Sequence, residues 1–284
     1  MRRSLLFIPS NSPAMLQNAD IFAADAIIFD LEDAVAITEK DAARILLDQY
    51  LNKFSLNQTE VIIRINSIDS EFGFDDLNKI VSDQIDTIML PKASKEDLYI
   101  LNEYLTKIEL NKLLNKKIQV IPIIELASSI INLKEIASAP RVNGLLLGAE
   151  DLSTDLEVVR TEQGIEIQYA RSVVVMYAKA FKIDAIDTPY INTKDEVGLV
   201  KDAQFASSLG MNAKACIHPN QIEVVNTVFS PSLKDVDHAK KVMMAYEQAQ
   251  KEGKGAFSVD GKMVDKPIIE RAKLLIKKAE KWGV

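Results

Sequence analysis

The sequence has very little cysteine and histidine, with one cysteine, Cys216, and two histidines in 284 residues. A single cysteine excludes an intrachain disulfide bond, and chains without disulfides are typical of reducing compartments. An excess of positive charge is also missing, since 34 Lys and Arg face 41 Asp and Glu and leave a formal net charge of −7. That balance argues against nucleic acid or an anionic membrane as the main partner, although it leaves room for a basic pocket that binds one anionic ligand.

Long hydrophobic runs and glycine-rich phosphate motifs are missing as well. The N-terminal segment MRRSLLFIPSNSP carries two arginines and a short apolar run that ends at Pro9. The run is too short for the apolar core of a signal peptide and far too short to span a membrane. We therefore expect a soluble cytoplasmic protein. No G-x-G-x-x-G or Walker sequence is present, and these are the motifs that mark nucleotide-binding open sheets.

What the sequence does contain is one pattern repeated eight times, a short apolar run followed by a longer amphipathic segment. The predicted strands are SLLFIP (4–9), AIIFDLE (26–32), EVIIRIN (60–66), TIMLPK (87–92), QVIPIIE (119–125), GLLLGAE (144–150), DAIDTPY (184–190) and AKACIHP (213–219). The seventh run is the least regular, because Asp184 and Asp187 interrupt its apolar pattern. Gly210 marks the expected end of the helix that follows it.

Apolar strands that alternate with helices indicate a parallel sheet covered by helices. Eight strand–helix units in about 250 residues are typical of a (β/α)8 TIM barrel, which is an α/β fold. A doubly wound open sheet is the alternative, but it would need a glycine-rich phosphate turn after an early strand. The sequence therefore predicts a barrel domain over residues 1–230, and its 48% hydrophobic content is enough for a sizeable core.

The remaining residues, 231–284, predict an extension made of a helix, a hairpin and a second helix. The segment KDVDHAKKVMMAYEQAQKEGKG has a helical pattern, and GAFSVDGKMV has two short strand patterns around an Asp-Gly turn. The last helix is expected to open at Asp265 and Pro267, because proline is favoured in the first turn of a helix.

Polar residues stand at the carboxyl ends of most predicted strands, which is where TIM barrels place their active sites. They are the segment DLED (30–33), Arg64, Asn66, Lys92, Glu125, Glu150, Asp151 and His218. A single polar residue at such a position would be an ordinary solvated group. A convergent set of acids that includes Arg64 and Lys92 indicates a functional site.

Glu125 and Asp151 are the most informative pair, because they follow neighbouring strands and their carboxylates are expected to lie close together. Oxygen ligands with no histidine or cysteine clustered near them are typical of a site for a hard cation such as Mg²⁺. The structural alternative is that each acid forms a salt bridge with Arg64 or Lys92. Glu150 is expected to support the site or to cap a helix rather than to bind the metal.

The other candidates each admit more than one role. Arg64, alone in the apolar run VIIRIN, is either a buried ion-pair partner of DLED, a fork for a substrate carboxylate, or both. Lys92 is either a substrate-binding cation or the Schiff-base lysine of a metal-free aldolase, and a metal pair makes the second role redundant. His218 is expected to be structural rather than a base, and Cys216 to be an inert core residue.

Seven segments resemble the citrate lyase β-subunit family, within the larger group of citramalyl- and malyl-CoA lyases. They are RRSLLFIP, AIIFDLEDAVAITEKDAAR, IRINSIDSEFGFDDL, LPKAS, IPIIE, LLLGAEDL and GKMVDKP, in the same order as in that family. The match runs from Arg2 to the final helix, and INSIDSEFGFDDL and RTEQGIE look closer to the citrate lyase β subunits than to stand-alone relatives. One departure is Ser10, at a position where relatives often have the glycine that lets the backbone approach the thioester ligand.

The resemblance implies a (β/α)8 barrel in which Glu125 and Asp151 hold Mg²⁺ and Arg64 binds the substrate carboxylate. It also implies that the extension carries Asp265 into the active site of a neighbouring subunit, where Asp265 is the candidate for proton transfer. We therefore expect a homotrimer when the protein is alone, with the citrate lyase α and acyl-carrier γ subunits as the further partners that the family suggests.

The implied reaction is a retro-Claisen cleavage of a citryl thioester, carried on acyl carrier protein or CoA, into oxaloacetate and an acetyl thioester. Mg²⁺ is expected to bind the substrate hydroxyl and its neighbouring carboxylate. Arg64, together with strand-end amides near Gly148 and Ala149, is expected to stabilise developing negative charge. Glu32 is a further catalytic candidate, and Glu32 and Asp33 are expected to orient Arg64.

Two alternatives stay open on the sequence alone. One is a lyase of the same group that acts on citramalyl-CoA or malyl-CoA, which turnover on the competing thioesters would separate from a citryl lyase. The other is a non-catalytic scaffold subunit, which predicts the loss of acidic site residues, whereas Glu125, Asp151 and Asp265 are all present.

Overall fold

The computed structural model describes residues 1–56, 59–253 and 257–284 and contains a closed barrel of eight parallel strands. The strands are β1 (Ser4–Pro9), β2 (Ala26–Asp30), β3 (Glu60–Arg64), β4 (Thr87–Leu90), β5 (Gln119–Ile124), β6 (Gly144–Leu147), β7 (Asp184–Asp187) and β8 (Ala213–Cys216). Each strand pairs in parallel with the next, and β1 pairs with β8, so the sheet closes on itself. The predicted (β/α)8 fold is confirmed.

Helices follow the strands around the outside of the barrel. The α-helices of this part of the chain are α1 (Pro13–Gln17), α2 (Lys40–Lys53), α3 (Gly73–Ile80), α4 (Lys95–Asn111), α5 (Ala127–Ile131), α6 (Leu133–Ala137), α7 (Ala149–Asp155), α8 (Ile165–Phe181), α9 (Glu196–Leu209) and α10 (Ile222–Phe229). Short 3-10 turns occupy Ala19–Phe22, Ile37–Glu39 and Pro219–Gln221. Gly210 ends α9 with a φ of 105°, in the left-handed region that favours glycine, as the sequence predicts.

The barrel interior is filled by apolar side chains from every strand. These residues are Leu5, Ala26, Ile28, Ile62, Met89, Ile121, Ile123, Leu146, Ile186, Ala213 and Ala215, which form one buried cluster. Because side chains alternate between the two faces of a strand, the residues between these positions face the surrounding helices. Both faces of the sheet are therefore buried, which explains the nearly continuous apolar runs in the sequence.

The chain divides into two compact units, Met1–Asn226 and Thr227–Val284. The second unit contains α11 (Leu233–Lys251), β9 (Phe257–Val259), β10 (Lys262–Val264) and α12 (Lys266–Trp282). The two strands pair antiparallel around a turn at Asp260 and Gly261, where φ is 48° and 76°. This turn confirms the predicted hairpin, although its first two predicted residues, 255 and 256, lie outside the described residues.

The second unit has its own apolar core, a cluster formed by Ala239, Val242, Val259, Val264, Ile269 and Ala272. Its helix–hairpin–helix order agrees with the sequence. The predicted boundary at residue 230 and the predicted packing of the extension on a neighbouring subunit stay predictions. None of the helices in the described ranges combines the length and the apolar character that crossing a bilayer requires.

Candidate active site

The carboxyl ends of the barrel strands surround a cavity of about 440 Å³. Its polar lining consists of Asp30, Asp33, Arg64, Glu125, Glu150, Asp151 and Thr188, and its apolar wall includes Phe7, Pro9, Ile123, Leu146, Leu147, Pro189 and Ile217. Five acids therefore face one arginine in this lining. Such an excess of negative charge opposes the binding of an anionic substrate unless a cation joins it.

Glu125 directly follows β5, and its side chain is buried at the cavity. Its Oε1 atom accepts a hydrogen bond of 2.5 Å from the backbone N–H of Lys92. Burial, opposed by the hydrogen bond from the Lys92 amide and helped by the negative charge of Asp151, raises the pKa of Glu125 to about 7. Asp151 lies in the first turn of α7, is partly buried and lines the same cavity. The structure therefore brings the two predicted ligands together.

The donor chemistry of this pair fits a hard divalent cation. Holding Glu125 buried beside a second carboxylate costs free energy in the ionised state, and a bound cation removes that cost. Within the described ranges, no group of three or more Asp, Glu, His or Cys side chains is arranged to hold a metal ion. Two carboxylates suit Mg²⁺, because this ion usually keeps several waters and binds one or two carboxylates together with substrate oxygens.

Arg64 ends β3 and is held by three acids of the DLED segment. Its Nε and Nη2 atoms donate to the two carboxylate oxygens of Asp30 at 2.7 and 2.6 Å. Its Nη1 atom lies 3.0 Å from Oε2 of Glu32 and 3.2 Å from Oδ2 of Asp33. The ring of Phe7 lies beneath the guanidinium, with its centroid 5.0 Å from Cζ. The ion-pair role of Arg64 is thus visible, and its contact with a substrate carboxylate stays a prediction.

Glu32 has an unusual protonation equilibrium among these acids. Burial raises its pKa to about 8, the Arg64 charge opposes the rise, and the neighbouring acids Asp33 and Glu125 add to it. Its backbone carbonyl and that of Leu31 accept hydrogen bonds of 2.6 and 2.9 Å from the buried ammonium of Lys40. Glu32 therefore lies beside Arg64 in a turn that Lys40 holds in place.

Lys92 contributes its main chain to the site rather than a contact of its ammonium group. Its backbone has a φ of 47°, in the left-handed region, which costs about 1–2 kcal/mol for a residue other than glycine. Its side chain is exposed, and its amide hydrogen points at Glu125. Binding of substrate by the Lys92 side chain stays a prediction.

Gly148 and Ala149 both line the cavity, but their amides are engaged within the chain. The N–H of Gly148 donates to the carbonyl of Ile124 at 3.0 Å, and the N–H of Ala149 donates to Oγ1 of Thr188 at 3.3 Å. Strand pairing and the Thr188 hydroxyl therefore take up both amide hydrogens. Contact of the two residues with substrate stays a prediction.

Glu150 lines the same cavity as the metal pair, and its carboxylate makes an ion pair of its own. Its side chain is exposed, with Oε1 lying 3.3 Å from Nε of Arg160. Nη1 of Arg160 also donates to Glu166 in the first turn of α8. Glu150 therefore links the beginning of α7 to the beginning of α8 through Arg160, and its support of the site stays a prediction.

His218, Cys216 and Ser10 are not among the described residues that line the cavity. His218 is exposed and accepts a hydrogen bond from the N–H of Asn220, capping a short turn. Cys216 is buried, and burial raises the pKa of its thiol to about 12. Ser10 is fully buried, and its hydroxyl has no hydrogen-bond partner among the described residues.

Asp265 lies in the second compact unit. Its side chain is exposed and caps α12 by accepting a hydrogen bond of 3.3 Å from the N–H of Ile268. The capping role follows from its place one residue before the helix and two before Pro267. Its predicted role in a neighbouring subunit stays a prediction.

Three contributors to the site were missed by the reasoning from sequence. Asp30 was seen only as part of DLED, although it is the bidentate partner of Arg64. Lys40 and Thr188 were not singled out, and they hold the DLED turn and the Ala149 amide. Their positions at strand ends could have indicated two of them, since Asp30 ends β2 and Thr188 directly follows β7.

The comparisons with known proteins agree with this geometry. Residues 3–219 match the family model described as HpcH/HpaI aldolase/citrate lyase. The chain is 40% identical to the citrate lyase subunit beta of Haemophilus influenzae, over 99% of this chain and 97% of the relative. It is 30% identical to the mitochondrial citramalyl-CoA lyase of Homo sapiens, over 95% of this chain and 83% of the relative.

A solved structure is also similar over nearly the whole length. The protein CitE from Mycobacterium tuberculosis, in complex with magnesium, acetoacetate and coenzyme A, superposes with a TM-score of 0.80. The two sequences are 30% identical, and the alignment covers 98% of each chain.

Proposed function

The chain belongs to the HpcH/HpaI aldolase/citrate lyase family and is a carbon–carbon lyase, and from this premise we propose that it cleaves a citryl thioester with the help of Mg²⁺. The products are oxaloacetate and an acetyl thioester. The observation that carries the proposal is the meeting of Glu125, Asp151 and Arg64 at one cavity of the barrel. The 40% identity to a citrate lyase subunit beta supports the choice of substrate.

Glu125 and Asp151 are the residues that would hold the metal ion. When bound, Mg²⁺ acts as a Lewis acid on the substrate oxygens and stabilises the charge that develops on them. The ion would also offset the negative charge of the acid-rich cavity, which otherwise repels a polycarboxylate substrate. Arg64 adds a second fixed positive charge, and its bidentate pair with Asp30 keeps the guanidinium oriented before the substrate arrives.

The cleavage requires one proton to leave the substrate hydroxyl and one to reach the departing carbon. Loss of the hydroxyl proton lets the C–O bond become a carbonyl as the carbon–carbon bond breaks. The bonding electron pair stays on the α-carbon of the acetyl thioester, which leaves as its enolate and is then protonated. We assign the protonation to Asp265, and Glu32, with its pKa of about 8, is the candidate that accepts the hydroxyl proton.

Asp265 is supplied, in this proposal, by the extension of a neighbouring copy in a homotrimer. An exposed aspartate that caps a helix in a separate compact unit is free to face another subunit. The acyl group is carried on acyl carrier protein or CoA, and the citrate lyase α and acyl-carrier γ subunits are the further proposed partners.

A second candidate function is the cleavage of citramalyl-CoA or malyl-CoA, which the 30% identity to a citramalyl-CoA lyase favours. The two reactions share the metal pair and the thioester, and they differ in the number of substrate carboxylates. The scaffold alternative is set aside, because the family assignment and the retained acids both indicate a lyase.

The test is turnover of citryl, citramalyl and malyl thioesters, each offered on CoA and on acyl carrier protein, with and without Mg²⁺. We expect the highest kcat/KM for a citryl thioester, loss of turnover in EDTA and its return with Mg²⁺. A higher kcat/KM for citramalyl- or malyl-CoA would move the assignment to the second candidate. Turnover that persists after chelation would contradict the metal site.

Asp265→Asn is expected to reduce kcat by about 10²–10⁴-fold, the contribution typical of a general acid or base. The asparagine amide still caps the helix but cannot release a proton. Affinity for Mg²⁺ is expected to be unchanged, because Asp265 is not one of the proposed metal ligands. Steady-state kinetics and calorimetry measure the two effects. Asp260→Asn, in the hairpin turn of the same unit, is the matched control and is expected to keep full kcat.

Mixing two inactive variants tests whether Asp265 acts in a neighbouring subunit. Asp265→Asn and Asp151→Ala chains, when coexpressed, form some sites that have both wild-type acids only if the two acids come from different chains. We expect partial recovery of activity in the mixed oligomers. No recovery, together with a confirmed mixed assembly, would place Asp265 in the site of its own chain or outside the site.

A further inference from the structure

Main chain from two neighbouring strand ends lies beside the carboxylate of the metal-ligand candidate Glu125. On one side, the backbone N–H of Lys92 donates to Oε1 at 2.5 Å. Lys92 has its left-handed φ of 47° two residues after the end of β4. A strained conformation that aims one amide at one functional group is an observation that points to function.

On the other side, Glu125 occupies the space that a side chain at position 148 would fill. A Cβ built on Gly148 would lie 2.7 Å from both Cβ and Oε2 of Glu125, and 2.9 Å from Cγ2 of Ile123. Real Cβ atoms essentially never come that close to another heavy atom. Gly148 has a φ of −94°, which any residue adopts, so its need for glycine is steric and not conformational.

We propose that Lys92 and Gly148 are positioning residues, whose main chain fixes the carboxylate of Glu125 in the orientation that binds the metal ion. Lys92 anchors Oε1 through its amide, and Gly148 leaves the clearance in which Oε2 lies. The inference rests on the proposed function, because it takes Glu125 as a metal ligand.

The physical reason is preorganisation. A glutamate side chain loses rotamer freedom when it binds a metal ion, and a carboxylate that is already held loses less on binding. The groups that orient metal ligands typically change metal affinity by about 10- to 100-fold when they are removed. We expect a loss of Mg²⁺ affinity in the same range here, since one hydrogen bond and one close packing contact hold Glu125.

Gly148→Ala is the direct test, with Mg²⁺ affinity measured by isothermal titration calorimetry on the full chain without substrate. We expect an affinity about 10- to 100-fold below that of wild type, with an unchanged circular dichroism spectrum. Gly144→Ala, four residues earlier in β6, is the matched control. There a Cβ would meet the far end of Ile186 at 3.2 Å, and the Arg2 guanidinium and the Cβ of Asp184 at the ordinary contact distance of 3.5 Å. We expect wild-type affinity for this control.

Two substitutions at Lys92 test the amide against the ammonium group. Lys92→Gly and Lys92→Val both remove the positive charge, but glycine favours a positive φ and a β-branched residue strongly disfavours it. We expect Lys92→Gly to keep Mg²⁺ affinity close to wild type and Lys92→Val to weaken it by about tenfold or more. Equal affinities in the two variants would overturn the role of the Lys92 backbone.

Glu125→Gln separates a failure of this inference from a failure of the proposed function. If Glu125→Gln removes Mg²⁺ binding and Gly148→Ala binds as tightly as Gly144→Ala, the metal ligand stands and the positioning role is overturned. If wild type does not bind Mg²⁺, or if Glu125→Gln binds as wild type does, the metal assignment fails and the positioning role fails with it.

Discussion

Asp151→Ala is expected to lower Mg²⁺-dependent cleavage of the thioester by about 10³-fold or more. A Lewis-acid metal contributes several kcal/mol of transition-state stabilisation, and each 1.4 kcal/mol corresponds to about a tenfold change in rate. Glu125 alone leaves the site with a single carboxylate, and the affinity of a hard cation falls as the number of charged ligands falls. Removing Asp151 therefore removes both metal affinity and turnover.

The fold of the Asp151→Ala variant is expected to remain intact in the absence of metal. Asp151 raises the pKa of Glu125 through its negative charge, so removing it relieves a repulsion inside the cavity. We expect a melting temperature in EDTA equal to or above that of wild type. Mg²⁺ is expected to raise the melting temperature of wild type, because a ligand that binds the folded state stabilises it, but not that of the variant.

A matched pair of amide substitutions isolates the charge. Asp151→Asn and Asp155→Asn both remove one carboxylate from α7, and the amide oxygen at position 155 can still accept the hydrogen bond from the N–H of Ala127. Only Asp151→Asn is expected to lose the Mg²⁺ response. Equal turnover of wild type and Asp151→Ala at saturating Mg²⁺ would remove Asp151 from the metal site.

The barrel was predictable because the apolar pattern that specifies each strand and each helix is local in the sequence. Each apolar run needs burial on both faces, and eight such runs alternating with helices admit few arrangements other than a closed parallel barrel. The positions of the candidate acids follow from the same logic, since strand ends of a barrel face one cavity. Glu125 and Asp151 were brought to that cavity by topology alone.

The finer geometry of the site was not predictable in the same way. That Oε1 of Glu125 accepts from the Lys92 amide depends on a backbone angle that no residue pattern encodes for a lysine. That the amides of Gly148 and Ala149 are already engaged depends on Ile124 and Thr188, which approach only after the strands pair. Such contacts form only in the tertiary fold. The sequence therefore identified the residues of the site but not their hydrogen-bond partners.

Asp187 in the seventh strand is the clearest case of a residue whose partners the sequence does not predict. Asp187 interrupts the apolar pattern of β7, and the structure gives the reason. Ile186 belongs to the barrel interior, so Asp187 faces outward to the helices, where Arg171 of α8 donates to it at 2.8 and 3.0 Å. Lys214 of β8 donates to it at 2.6 Å. The aspartate that interrupts the apolar pattern is therefore part of a buried ion-pair network.

This network contains two cations and two acids and is almost completely closed to solvent. Arg171, Lys214 and Asp187 have fully buried side chains, and Asp202 of α9 is 8% exposed. Asp202 accepts from both cations at 2.7 and 2.6 Å. Burial acts to raise the pKa of Asp202, but Lys214 and Arg171 outweigh burial and hold it below its ordinary value. The acid is therefore charged at neutral pH.

Asp187→Ala is expected to lower the free energy of unfolding by about 3–5 kcal/mol, the typical cost of breaking a buried ion pair by removing one partner. Two cations would then share one acid in a dry environment. Lys214 also donates to the carbonyl of Thr188, whose hydroxyl accepts from the Ala149 amide, so the loss is expected to reach the beginning of α7. Urea-induced unfolding at neutral pH measures the free energy.

Asp184→Ala is the matched control, because Asp184 is the same residue type at the other end of β7. Its partner Arg2 lies 2.8 Å away but is also held by Glu60, so Arg2 stays paired when Asp184 is removed. Asp184 is also 17% exposed, which lets water compensate for part of the change. We expect the free energy of unfolding to fall by much less in Asp184→Ala than in Asp187→Ala. Similar losses for the two variants would mean that burial of the network adds nothing to its contribution, and that β7 tolerates Asp187 for another reason.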